Sequence, residues 1–164
     1  LYTYNNIEPL KYLINIVMNN EVILNNYEVN ELLKLIFSYA LNTNLVFTNH
    51  YVNMVMNIYN HFKDILRSDT SILYFKRMVL IKLNDDKTLE AERFLNEIKD
   101  INSQDFFYRT HVILLKYESK SFKELFKKYS YKEIKEFNEL ETSINASKDF
   151  ELSNELYDFK RKYL

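Results

Sequence analysis

The chain has no glycine, no cysteine and no tryptophan among its 164 residues, and its one proline is Pro9. Each absence removes some chemistry. Phosphate-cradling loops and dinucleotide fingerprints need glycine where the backbone approaches phosphate or takes a positive φ. A nucleophile elbow needs it for the same steric reason, and a calcium loop needs it for its sharp turn. Primed hairpin turns suffer as well, which disfavours a mostly β fold and favours helices joined by short polar connections. Lack of cysteine excludes disulfides, thiol nucleophiles and thiolate metal sites, and fits a reducing compartment. Net charge is −1, from 22 basic and 23 acidic residues, so no global field favours nucleic acid. No apolar run approaches the roughly 20 residues that span a bilayer, and no secretory signal pattern is present. The expectation is a cytoplasmic protein without a membrane segment. Because the chain opens at Leu1 rather than Met, it is also expected to be a piece of a longer protein.

What remains is 47% apolar and 27% charged, enough to bury the core of one helical domain over residues 1–164. Helical periodicity runs nearly end to end and predicts about nine helices. The first spans residues 7–19, with Pro9 in its opening turn. The second spans 28–42, with Leu32, Leu33, Ile36, Phe37 and Ala40 as its apolar face. Thr48 caps the third, and Ser68 or Asp69 caps a fourth over 70–84. "KTLEAERFLNEIKDI" forms the fifth, with Leu89, Phe94, Leu95 and Ile98 inward and charges outward. Ser103 caps a sixth over 104–118 that carries Phe107, Val112, Leu114 and Leu115. A seventh runs through "FKELFKKYS". The last two cover 131–147, with Ile134, Phe137, Leu140 and Ile144, and 150–163, with Leu152, Leu156, Phe159 and Tyr163. The caps at Asp69 and Ser103 lie about 34 residues apart, the period of a tetratricopeptide helix pair. Ala91 is a small residue where two helices of such a pair approach closely. An irregular helical bundle is the other arrangement this periodicity allows.

Catalysis finds little support. His50, His61 and His111 are scattered, without the helical partners of a metal site, and each reads as a surface or groove histidine. Acidic residues in "DDKTLEAE" and "KEFNELE" read as helix-surface charges rather than an acid/base pair. No cofactor or metal is expected. "KSFKELFKKYSYKEIK" interleaves lysines with aromatics, a mixture that contacts phosphates and stacks bases. Its apolar residues fall at helical spacing, so a solvated basic face around a buried stripe is the leading reading.

"TNHYVNMVMNIYNHF" (residues 48–62) carries a different pattern. Asn49, Asn53, Asn57 and Asn60 are spaced by four, four and three and fall along one stripe of a helix. An asparagine amide offers both a donor and an acceptor, so a column of them can hold an extended peptide backbone without reading its sequence. Comparable polar positions are Asn15 and Asn19 on the first helix, Asn30 and Lys34 on the second, Arg77 on the fourth, and Arg109 and Lys116 on the sixth. Arginine adds a fork suited to a carboxylate, a peptide's C-terminus included. The competing reading is a wet outer face in a chain whose Asn, Lys, Ile and Tyr content follows an AT-rich coding bias. The residues alone favour that face.

"RMVLIKLNDDKTLEAERFLNEIKDINSQDFFYRTHVILLKY" resembles a segment of the regulatory domain of Rgg-type transcription regulators. There a helix, an acidic break and an "A-x-x-F-L" helix precede a helix entered through "D-x-F-x-R". "SINASKDFELSNELYDFKRKYL" is similar to the closing helix pair, with Ser153 where an alanine is expected. The N-terminal part departs from the pattern, because the family's tryptophan-containing helix has only "FTN" (Phe47 to Asn49) as an echo. These regulators belong to a wider group of peptide-pheromone receptors with tetratricopeptide-like domains. The resemblance implies a short signalling peptide in a concave groove and a homodimer formed partly through C-terminal helices. It also implies a DNA-binding helix-turn-helix upstream of Leu1. Carried over by position and type, Asn49, Asn53 and Asn57, with Asn60 in line, would meet the peptide backbone, and Arg77 and Arg109 its acidic end.

The expectation is therefore an all-α, tetratricopeptide-like array of antiparallel helix pairs, serving as a peptide-sensing regulatory and dimerisation domain and not as an enzyme. The alternative is a helical-repeat scaffold for protein–protein interaction with no small ligand.

Overall fold

The computed structural model describes residues 8–19, 23–41, 48–117 and 135–163. They form eight α-helices and one short 3₁₀ turn, with no strand among the described residues. We number them α1 (Glu8–Met18), α2 (Asn26–Ala40), α3 (Thr48–Phe62), α4 (Ser68–Asn84), α5 (Thr88–Ile101), α6 (Phe106–Tyr117), α7 (Lys135–Ser147) and α8 (Phe150–Tyr163); the 3₁₀ turn is Lys63–Ile65. The helix expected through "FKELFKKYS", the lysine–aromatic segment around it and Ile134 lie outside the described residues. No helix among the described residues is long and apolar enough to cross a membrane.

The chain divides into two compact units, Leu1–Asn102 and Ser103–Leu164. In the first, α2 packs against α1, α3 and α4, and α4 packs most extensively against α5. Thus α3 lies beside α2 and α5 beside α4 while α2 and α4 also touch, a repeat-like succession of helix pairs. Residues 85–87 alone separate α4 from α5, so the two run antiparallel. Ala91 is fully buried where these helices approach, as the sequence predicts. The core joins Leu33, Ile36 and Phe37 of α2 to Val55 and Ile58 of α3, and Tyr74 and Met78 of α4 to Leu95 and Ile98 of α5. In the second unit α7 packs on both α6 and α8 around Phe107, Leu114, Phe137, Leu140, Ile144, Leu152 and Leu156.

The helix ends show how a chain without glycine turns. Asn25 and Glu28 form a reciprocal capping box: Glu28 N–H donates to Asn25 Oδ1 (2.8 Å) and Asn25 N–H to Glu28 Oε1 (3.3 Å). This moves the start of α2 to Asn26, ahead of the expected residue 28. At the end of α4, Lys87 N–H donates to Lys82 O and Asp86 N–H to Leu83 O, the double closure of a Schellman motif. Asp86 therefore takes the left-handed conformation, φ 58°, where glycine usually sits. Lys148 does the same between α7 and α8, at φ 55°.

Several sequence expectations need correction. Arg67, not Ser68 or Asp69, is the N-cap of α4 and makes no side-chain cap bond. The Asp69 carboxylate is instead drawn to Lys34 (2.6 Å) and Arg67 (3.4 Å). Asp105 rather than Ser103 caps α6, accepting from Tyr108 N–H at 3.0 Å. With α4 opening at Ser68 and α6 at Phe106, the interval is longer than the tetratricopeptide period. Leu89 (75% exposed) and Val112 (40% exposed) face outward, since neither lies on the stripe that the neighbouring helix covers.

Candidate ligand groove

Three helices of the first unit enclose a groove of about 480 Å³. Met56, Tyr59 and Asn60 of α3, with Lys63 of the 3₁₀ turn, form one wall. Glu90, Arg93, Phe94 and Glu97 of α5 form the other, and Tyr74, Phe75 and Lys82 of α4 lie between. Helical spacing makes both walls: Met56, Asn60 and Lys63 recur every three or four residues, as do Glu90, Arg93, Phe94 and Glu97.

The floor is aromatic. Tyr59 stacks on Tyr74 with ring centroids 4.0 Å apart and nearly parallel planes. Phe75 meets Tyr59 edge-on at 5.3 Å, and Phe94 lies 6.2 Å from Phe75. Tyr74 and Phe75 are buried, while Tyr59 and Phe94 are half-buried and bring their rings to the groove. Burial pushes the Tyr74 phenol well above its ordinary range. Burial also raises Tyr59, with a hydrogen bond to Ser71 pulling the other way and the Glu97 charge adding to the rise.

The rim carries charge of both signs. Lys82 Nζ lies 2.9 Å from Glu90 Oε2 and holds that carboxylate below its usual range. With this pair mutually satisfied, Lys63 and Arg93 stand against Glu97, a small excess of positive charge at the edge of an apolar floor. Aromatic surface beside a few polar groups is the composition of a ligand site, and 480 Å³ falls in the size range for small ligands.

Only part of the asparagine ladder reaches this groove. Asn60 lines it and is exposed. Asn53 is exposed and lies two turns earlier on the line of Met56 and Asn60. Asn57 is exposed but turned about 100° from Met56 around the helix, away from the lining. Asn49 belongs to the opening turn of α3, and its side chain lies outside the described residues, as does that of His50. Arg77 is half-buried on α4 and does not line the groove, and Arg109 is exposed on α6 in the other unit. Of the expected set the groove contains Asn60, here beside Lys63 and Arg93. The sequence contains the spacing that joins these residues on each helix, but not the packing that sets α3 opposite α5.

Other polar residues serve the fold. Asn30, expected on an open stripe, is buried and bonds the chain's own backbone at Ile65 and Arg67. Lys34 lies between Glu31 and Asp69. Asn15 and Asn19 pair with each other. His111, read as a surface or groove residue, is only 1% exposed. Its Nδ1 lies 2.9 Å from Phe107 O, and its Nε2 lies 2.6 Å from Glu155 Oε2. His61 is exposed. No cluster of three or more metal-binding side chains occurs among the described residues.

Compared with known protein families, with curated proteins and with solved structures, the chain matches none.

Proposed function

We propose that the chain is the peptide-sensing regulatory and dimerisation domain of a cytoplasmic transcription regulator of the Rgg type, with its DNA-binding part on another segment of the protein. The observation that carries the binding half of this reading is the α3–α4–α5 groove. A short peptide with one aromatic or branched apolar residue suits the floor of Tyr59, Phe75 and Phe94. An adjacent carboxylate suits the excess charge of Lys63 and Arg93, and the Asn60 amide can pair with main-chain N–H and C=O. The resemblance of the segments from Arg77 to Tyr117 and from Ser143 to Leu164 supports the regulatory half. In mechanism, peptide binding stabilises one packing of the helices over another and so biases the attached domain between two states.

The experiment is to select peptides from a random display library on the wild-type protein and titrate the best one against isotope-labelled protein. Resonances of residues 56–63 and 90–97 are expected to move together. A selected peptide that perturbs only other surfaces would refute the groove. Failure to select any peptide would favour the scaffold alternative.

A further inference from the structure

We infer that Asn30 is a positioning residue of the groove: its buried amide fixes the connector that carries the Lys63 wall. The inference rests on the ligand-groove reading above. Asn30 is 1% exposed in the second turn of α2, a position where asparagine is disfavoured unless its amide is bonded. Here the amide is fully used. Nδ2 donates to Asn26 O at 2.7 Å and to Ile65 O at 3.1 Å, while Oδ1 accepts from Arg67 N–H at 2.8 Å. Two carbonyls on one side and an N–H on the other leave a single orientation of the amide. Leu66 between them is extended, φ −74° and ψ 136°, so the Ile65 carbonyl and Arg67 N–H meet the same side chain. Asn30 thus grips the chain's own backbone through both ends of its amide.

Lys63 stands two residues before the gripped carbonyl, in the 3₁₀ turn that continues α3 directly from Asn60 and Phe62. Holding Ile65 and Arg67 against α2 therefore sets where the last turn of α3 ends and how far Lys63 stands from Arg93. Outside the clamp, Arg67 meets Glu31 at 2.6 Å, and Lys34 meets Asp69 at the same distance. These pairs are open to solvent on one side and screened by it, whereas the amide is buried and is the main restraint. A ligand that pulls on Lys63 also pulls on α2 through this bond, so groove occupancy is coupled to the α1–α2 end of the unit.

The test compares Asn30→Leu, Asn30→Asp and Ile36→Val. Asn30→Leu removes all three bonds, Asn30→Asp keeps the acceptor for Arg67 N–H, and Ile36→Val trims the buried α2 core without touching the connector. The probe is 8-anilinonaphthalene-1-sulfonate, an aromatic anion suited to this floor and rim, with Phe94→Ala marking its site. Asn30→Leu is expected to weaken the dye by about tenfold, Asn30→Asp less, and Ile36→Val not at all, a factor of ten being 1.4 kcal/mol. Amide exchange across residues 60–67 is expected to speed up in Asn30→Leu while α4 and α5 keep their protection. Equal weakening by Ile36→Val, or unchanged exchange across 60–67, would overturn the inference. No dye binding to the wild type would count against the groove itself, and the exchange measurement then decides the clamp alone.

Discussion

Removing the Glu155 carboxylate takes away the charge beside His111 Nε2 in the core of the second unit, where a ring that is 1% exposed has little water to turn to. Phe107 O lies 2.9 Å from Nδ1, whereas the carboxylate lies 2.6 Å from Nε2 in an orientation that makes no hydrogen bond, so that contact is one of charge proximity. Glu155 is itself 23% exposed, which tempers the loss. Glu155→Ala should cost about 2 kcal/mol by denaturant unfolding, and Glu155→Gln, which keeps the side chain's shape and a polar group beside Nε2, less than that. The tyrosines give a pH test at the same scale. Tyr59 and Tyr74 are raised above the unfolded value of about 10. Their contribution is thus fully present below pH 10 and is lost as pH rises above it. In an ultraviolet titration these two phenols should ionise after most of the 14 tyrosines, in step with alkaline unfolding. All the tyrosines ionising together in the folded protein would contradict this.

Within single helices, period gave nearly correct extents and core faces, because burying a stripe requires that spacing whatever the neighbours are. The starts of α2 and α6 were less legible. "NNYE" and "SQD" each offer several capping side chains, and only the backbone path selects Asn25 and Asp105. Leu89 and Val112 were misplaced for a related reason: periodicity marks what can be buried, and the partner helix decides what is. The glycine-free turns make a prediction at this scale. Lys148 is left-handed and lacks the short polar side chain that eases that conformation for Asp86. Lys148→Gly should raise stability by up to about 1 kcal/mol in thermal or denaturant unfolding, with no change in helix content. A loss of stability would show that the lysine side chain makes up for the strain.

For the whole molecule, the all-helical character of the described residues followed from composition and period, which left an irregular bundle open beside a tetratricopeptide-like array, whereas the groove did not follow from either. Asn60 of α3 and Lys63 of the 3₁₀ turn are separated in sequence by α4 from Arg93 and Phe94 of α5, and only packing brings them to one cavity. The same packing sets α2 beside α4, where Glu31 is lowered chiefly by Arg67 and Asp69 chiefly by Lys34. Carboxylates lowered by folding lend stability above their unfolded values of about 3.9 to 4.3 and lose it as pH falls through the folded ones. Glu31→Gln combined with Asp69→Asn should therefore be less stable than wild type at pH 7 and converge with it near pH 2, by a margin that salt reduces. Central to the proposed function is a peptide held in the α3–α4–α5 groove. This is tested most directly by the dissociation constant of a display-selected peptide for the wild type and for Phe94→Ala, Asn60→Ala and Asn57→Ala. Phe94→Ala and Asn60→Ala should each weaken binding about tenfold or more and Asn57→Ala not at all; equal affinities for all four proteins would contradict a peptide in this groove.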